Sequence, residues 1–131
     1  MFGRVDPAST SIYDERGDIV EGDNRWAHGL QVATLAMGTR NGIGAHGVAP
    51  GADLLYIRVD AGFSFPSLDD FPLHTPEDIA RSVDYAVANG AQIISMSVGV
   101  SEDSGRILFN AIERATDQGV VVITALGNYF D

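Results

Sequence analysis

The chain has 131 residues, of which 45% are hydrophobic and 20% charged, so it is expected to fold as one soluble globular domain with a buried core. Eighteen acidic residues against eight basic ones give a formal charge of −10, which excludes nucleic acid and anionic membrane surfaces as expected partners, because both would repel the chain. The absence of cysteine excludes disulfides and cysteine-based zinc sites. The chain has no apolar run of the roughly 18 to 20 residues that span a bilayer and no stretch that resembles a signal peptide.

The N-terminal part, residues 1–27, is rich in polar residues and glycine and has no clear hydrophobic period, so it is predicted to be mostly irregular. The α/β core is predicted to span 28–131. It begins with the stretch "HGLQVATLAMGT", which predicts a largely buried helix over about 28–38. The apolar positions of this helix recur at helical spacing, at Val32, Leu35 and Ala36 with Leu30 and Ala33 beside them.

The next segment, "NGIGAHGVAPGA", contains the spacing G-x-G-x-x-G at residues 42–47, which is also the spacing of dinucleotide-binding loops. A phosphate-binding loop follows a strand and opens a helix, whereas this one follows a helix and precedes the strand-like run "DLLYIRV" at 53–59. The glycines are therefore predicted to form a turn from a helix into a strand.

A long polar and aromatic loop is predicted at 60–75, followed by a helix. Thr75 is its predicted N-cap, Pro76 its first residue, and Gly90 lies beyond its end. The predicted inward positions are Ile79, Val83, Ala86 and Val87.

Two further strands, "AQIISMSVG" and the buried "VVVITALGN", are predicted on either side of the amphipathic helix "GRILFNAIERATDQG". The predicted inward residues of this helix are Ile107, Leu108, Ala111, Ile112 and Ala115. Alternation of helices and strands predicts parallel strands joined by right-handed crossovers, with helices covering the faces of the sheet.

Together, the stretches "DNRWAHGLQVAT", "NGIGAHGVAPGADLLYIRV", "IISMSVGV" and "GVVVITALGN" resemble the subtilisin-like serine peptidases, the subtilases. In that family a catalytic histidine opens a helix in the motif HGTHVAG, a turn NGxGxxGVAP leads to the next strand, and later strands end in S-x-G and A-x-GN. The resemblance implies a partial subtilisin-like three-layer fold, a mostly parallel sheet flanked by helices, in a single partial domain over residues 1–131.

The resemblance also implies a site. His28 matches the catalytic general base, and Asn128 matches the side-chain donor of the oxyanion hole. Ser97, Val98 and Gly99 match the strand that pairs with the substrate backbone. An imidazole can take a proton from a serine hydroxyl and return it to the leaving amine, and a carboxamide can donate to the oxyanion of the tetrahedral intermediate. Considered without the neighbouring motifs, His28 could instead be an ordinary residue at the start of a helix.

The motif around the histidine departs from the family pattern, because Leu30, Gln31 and Thr34 stand where the family has Thr, His and Gly. The family's catalytic aspartate ends a hydrophobic strand well upstream of the histidine. The nearest candidate here is Asp6, but only five residues precede it and its spacing to His28 is short.

The nucleophile of the family lies in a G-T-S-x-A segment, which this sequence does not contain. Its later serines lie in strand or loop contexts and are predicted to be structural: Ser95, Ser97, Ser101 and Ser104. The chain thus resembles a segment of a subtilisin-like serine endopeptidase and is expected to be inactive by itself. The alternative is a non-catalytic peptide-binding or interaction module derived from a subtilase.

No cofactor is required by this hypothesis, although calcium is a candidate ligand. The family often binds calcium in the loop after the histidine helix, which points to the Asn41 side chain and the carbonyls of Thr39, Ile43 and Ala45. His46 and His74 are expected to be solvent-facing or capping residues. The apolar residues of the long loop either form a wall of the substrate cleft or hold the loop against the body: Phe63, Phe65, Phe71 and Leu73.

The expected partners are a polypeptide substrate or peptide, and either the remaining parts of a complete domain or a second copy of the chain, because unpaired strand edges favour association. The resemblance implies an extracellular or cell-envelope location, as for most of the family, while the sequence itself carries no targeting segment.

Overall fold

The computed structural model describes residues 4–11, 28–59, 75–97 and 105–125. Its contacts group the chain into two compact units, Met1–Arg58 and Val59–Asp131. All three strand pairs between the described residues are parallel, which confirms the predicted α/β class. Whether the chain forms a single domain stays a prediction.

Among its described residues, the first unit has four strands of two residues each: β1 (Arg4–Val5), β2 (Thr10–Ser11), β3 (Asp53–Leu54) and β4 (Ile57–Arg58). Strand β1 pairs with β3, where the side chains of Arg4 and Asp53 form an ion pair, and β2 pairs with β4. The N-terminal segment was predicted to be mostly irregular, and the four residues of β1 and β2 are the part of it that the structure describes as strand. Strands of two residues are too short to show the alternation by which a sequence reveals a strand.

The predicted continuous strand at 53–59 is divided into β3 and β4 by a bulge in its partner. Four residues, 6–9, lie opposite only two, 55–56, between the two paired segments. Ser9 N–H donates to the Asp6 carbonyl over 3.0 Å, so the extra residues fold into a tight turn. The turn contains Pro7, which has no N–H to donate to a ladder.

Helix α1 (His28–Met37) occupies the predicted place, but the prediction that it is largely buried was wrong. Ala33 is buried, whereas Leu35 is 72% exposed. Hydrophobic spacing identifies the apolar face of a helix but does not show whether another element covers that face.

In the second unit, helix α2 (Pro76–Ala88) begins as predicted. The Thr75 side chain accepts a hydrogen bond from Asp78 N–H over 3.1 Å, and the Asp78 carboxylate accepts one from Thr75 N–H over 3.1 Å. These two bonds form a capping box, which satisfies N–H groups that the helix itself leaves unpaired. Asn89 is the C-cap of the helix, and the following Gly90 has a φ of 79°, the left-handed conformation typical of a helix end.

Helix α3 (Gly105–Asp117) packs against α2, and both cover one face of the parallel pair β5 (Ile93–Met96) and β6 (Val121–Thr124). The Arg114 guanidinium joins the helices by binding both carboxylate oxygens of Asp84. The core of the unit is formed by Ile79, Ala80, Val83, Leu108, Ala111, Ala115 and Val120. None of the described helices, which have 10 to 13 residues, could cross a membrane.

Two predictions of burial were wrong in this unit. Ile107 is 47% exposed, although it was expected to face inward. Strand β6 was expected to be buried, but only the face of Val122 packs against the helices. On the opposite face, which we call the open face, Ile93, Val121 and Ile123 are 63%, 54% and 55% exposed.

Candidate functional site

The candidate base, His28, is the first residue of α1, as the motif predicts. Its backbone is described, while its ring lies outside the described side chains. The next residue, Gly29, lies against the Tyr56 side chain: a Cβ atom added to Gly29 would be 2.6 Å from Tyr56 Oη. The glycine of this motif therefore leaves room for a tyrosine hydroxyl at the start of the helix.

The candidate carboxylate, Asp6, directly follows β1. Its N–H donates to the Leu54 carbonyl over 2.7 Å, and its Oδ1 accepts a hydrogen bond from Ala8 N–H over 2.8 Å. These bonds hold the turn at residues 6–9, so the structure gives Asp6 a role in local folding. A catalytic role for Asp6 stays a prediction.

The glycine-rich turn packs against the C-terminal end of α1. Three of its N–H groups donate to carbonyls of the helix end: Gly47 to Gly38 over 2.8 Å, Val48 to Leu35 over 3.1 Å and Ala49 to Ala36 over 2.8 Å. The last carbonyls of a helix have no partner within the helix, so these bonds complete its end.

Each of the three glycines of the GIGAHG segment is required by the local backbone geometry. Gly42 and Gly44 have φ values of 77° and 69°, which residues other than glycine rarely adopt. A Cβ atom at Gly47 would lie 2.5 Å from Met37 N and 2.6 Å from Met37 Cα, so the backbone of the turn approaches the helix too closely for any side chain. The predicted turn is confirmed, and its amides donate to helix carbonyls, whose partial negative charge would repel a phosphate.

The candidate calcium ligands lie in the same turn. Asn41 Oδ1 accepts a hydrogen bond from Ile43 N–H over 3.0 Å, and the exposed His46 donates from Nδ1 to the Gly47 carbonyl over 2.8 Å. Calcium takes six to eight oxygen ligands, usually including carboxylates. The described residues contain no cluster of three or more His, Asp or Glu side chains that could hold a metal ion, and calcium binding through Asn41 and the neighbouring carbonyls stays a prediction.

Strands β5 and β6 end side by side. Ala125 N–H donates to the Met96 carbonyl over 3.1 Å, which continues the pairing one residue beyond β6. Ser97 follows β5 at this edge and is exposed. Parallel strands place their carboxyl ends at one edge of a sheet, where open α/β sheets bind ligands.

Several predicted positions lie outside the described residues. Of the candidate site these are Val98, Gly99 and Asn128, and of the remaining predictions Ser101, Ser104, His74, Phe63, Phe65, Phe71 and Leu73. Ser95 lies within β5 as a strand residue, as predicted.

The family is decided by comparison of the whole sequence with known families. The sequence model of the subtilase family matches residues 5–131, nearly the full chain. The chain belongs to the subtilase family. The predicted resemblance, and with it the expectation of a partial subtilase domain, is confirmed.

Individual subtilases match over shorter segments. Over 101 residues, 77% of this chain, it is 32% identical to the minor extracellular protease Epr of Bacillus subtilis, of which these residues make up 14%. Over the same share it is 36% identical to alkaline elastase YaB of Bacillus sp. (strain YaB) and 33% identical to subtilisin Savinase of Lederbergia lenta, covering 24% and 34% of their lengths. The chain therefore spans about a third or less of these relatives. No solved structure matches it significantly.

Sequence reasoning missed two residues of this subtilase segment. Tyr56 is one of several large residues in the run "DLLYIRV", and nothing in that run shows that its side chain reaches α1. Gly47 was predicted only as a turn glycine, because a close approach of two backbones leaves no pattern in the sequence. The catalytic roles of His28 and Asn128 stay predictions.

Proposed function

We propose that the chain is a segment of a subtilisin-like serine endopeptidase and contributes the base, the oxyanion donor and the substrate-binding strand to the hydrolysis of peptide bonds. The observation that carries this proposal is the family match over residues 5–131. The position of His28 at the start of α1 supports it, because the motif requires the base at that place.

In the proposed mechanism His28 acts as general base and then as general acid. An imidazole with an ordinary pKa of about 6.5 can accept the proton of a serine hydroxyl as the oxygen attacks the substrate carbonyl. It then returns that proton to the leaving amine, while a carboxylate holds its other nitrogen.

The substrate is proposed to bind as an added strand beside Ser97, Val98 and Gly99. The parallel pairing of β5 and β6 supports this arrangement, because the last residues of both strands lie at one edge. Asn128 lies three residues after Ala125 in the segment that follows β6, and its side chain is proposed to donate to the oxyanion. Removal of such a donor costs about 2.7–4 kcal/mol, a value measured on subtilisin, a member of this family.

We further propose that this chain alone does not cleave peptides, because its sequence contains no G-T-S-x-A segment. The test is reaction of the purified chain with a fluorophosphonate probe, read by intact mass, together with cleavage of an unstructured protein. No adduct and no cleavage are expected. A covalent adduct that disappears in His28→Ala would show that one of the serines present is an activated nucleophile, and would refute the proposed inactivity.

Substrate binding has a separate test. An extended peptide added to the ¹⁵N-labelled chain is expected to shift the amide resonances of Ser97, Val98 and Gly99. The same peptide with N-methylated amides is the matched control, since it keeps the side chains but cannot pair as a strand. Equal shifts with both peptides, or no shift with either peptide, would contradict strand addition.

The second candidate is a non-catalytic peptide-binding module derived from a subtilase. Both candidates predict peptide binding without an adduct. A longer parent reading frame with V-x-D upstream and G-T-S-x-A downstream would favour the peptidase, and a natural stop codon after Asp131 would favour the module.

An extracellular or cell-envelope location is part of the proposal. Its support is the relative from Bacillus subtilis whose name describes it as extracellular. Immunoblotting of the culture medium and the cell fraction of the source organism tests the location, and protein confined to the cell interior would contradict it.

A further inference from the structure

The Tyr56 backbone is fixed on both sides at the junction between β3 and β4. Its N–H donates to Ser9 Oγ over 3.0 Å, and its carbonyl accepts a hydrogen bond from Thr10 N–H over 2.9 Å. Both partners belong to the bulged N-terminal segment. The half-buried side chain therefore extends from a backbone that strand pairing holds in place.

The hydroxyl of this tyrosine occupies the space beside Gly29 in the first turn of α1. The position that a Cβ atom of Gly29 would take is 2.6 Å from Tyr56 Oη but 3.4 Å from Cε2 and Cζ of the ring. Real Cβ contacts are essentially never shorter than 3.0 Å. A side chain at Gly29 would therefore require the hydroxyl oxygen to move, whereas the ring would tolerate one in its present place.

The two ends of α1 are held differently. The C-terminal end receives hydrogen bonds from the glycine-rich turn. The first turn contains no acidic residue that would complement the helix dipole. The helix packs against β3. The contact between Tyr56 and Gly29 is where a strand-held side chain meets this first turn.

We infer that Tyr56 is a positioning residue, whose hydroxyl against Gly29 sets the first turn of α1 and thereby the backbone of His28. The functional meaning of this inference rests on the proposed role of His28 as the base. The contact itself does not depend on that role.

The test is a double-mutant cycle of Gly29→Ala and Tyr56→Phe in the full chain, read by the NMR pH titration of the His28 ring, which His28→Ala assigns. Each single variant is expected to shift the His28 resonance and its titration midpoint, because one adds a methyl group against the hydroxyl and the other removes the hydroxyl. The double variant is expected to restore both values, because the methyl group fills the space that the hydroxyl leaves. Gly51→Ala is the matched control for the added methyl group and is expected to leave both unchanged, because a Cβ atom at Gly51 has no neighbour within 4 Å.

Alanine has a higher helix propensity than glycine, so a disturbance by Gly29→Ala cannot come from propensity. Unchanged His28 titration in Gly29→Ala, or equal displacement in Gly29→Ala and the double variant, would overturn the inference. A lower melting temperature with an unchanged titration would also overturn it, since Tyr56 would then only stabilise the fold. None of these outcomes affects the fluorophosphonate and peptide experiments, so the inference and the proposed function can fail independently.

Discussion

Replacement of Gly47 by alanine is the sharpest test of how the glycine-rich turn meets α1. The added methyl group would lie 2.5 Å from Met37 N and 2.6 Å from Met37 Cα. These are backbone atoms of the helix, so no side chain can rotate out of the way. The turn must therefore move away from the helix end, which breaks the hydrogen bonds that its amides donate.

The magnitude follows from the three bonds donated by Gly47, Val48 and Ala49. Each contributes about 1 kcal/mol net, so their loss costs about 3 kcal/mol. Replacing glycine by alanine also restricts the unfolded chain, which offsets about 0.4–1 kcal/mol of this cost. The expected result is a decrease of about 2 kcal/mol in the free energy of unfolding.

Urea unfolding followed by far-UV circular dichroism measures this change. Gly51→Ala is the matched control, because Gly51 has open space at the Cβ position and no positive φ. The control is expected to stabilise the chain by about 0.4–1 kcal/mol through its unfolded state. If the two variants differ by less than about 0.5 kcal/mol, the turn does not contact α1 as described and the reasoning is refuted.

Three further results are expected. Thr75→Ala removes one half of the capping box of α2 and should lower the free energy of unfolding by about 1 kcal/mol in the same urea assay, with no loss arguing against the cap. Ile123→Thr keeps a β-branched residue but makes the open face more polar. If that face drives self-association, light scattering at high protein concentration should give a lower average mass for the variant, and an unchanged mass would exclude self-association through this face. Chelation with EDTA should leave the melting temperature unchanged, whereas a decrease that is absent in Asn41→Ala would establish a calcium site.

The helices could be predicted because their signals are local. Thr75, Pro76 and Gly90 mark the beginning and end of α2 by hydrogen-bonding and backbone preferences that act within a few residues. The position of His28 at the start of α1 was likewise carried by a contiguous motif. Such signals are readable because the sequence neighbours are also the physical partners.

The features that could not be predicted depend on distant partners. β1 and β2 exist because residues 53–58 pair with them, and the bulge at 6–9 divides a run that is continuous in the sequence. The exposure of Val121 depends on whether another layer covers the open face, and the hydrophobic pattern of the strand does not indicate this. The meeting of Tyr56 and Gly29 joins segments 27 residues apart and leaves no local signal.

The pairing of β1 with β3 can form only after the contacts between the glycine-rich turn and α1 have become possible. The bonds that close the turn onto α1 join residues at most 13 positions apart, whereas Arg4 must wait for Asp53, 49 positions later. At about 5–20 residues per second, the ribosome needs roughly 2–10 s to make that difference. Pulse-labelling hydrogen exchange during refolding should find Val48 and Ala49 protected before Thr10, and the reverse order would contradict this sequence of events.

During synthesis the first strand therefore spends several seconds with its backbone unpaired. An unpaired strand is a template for association with other chains, and charged residues next to it oppose such association. The charges of Arg4 and Asp6, on either side of Val5, would protect the nascent chain during this interval, before the ion pair with Asp53 can form.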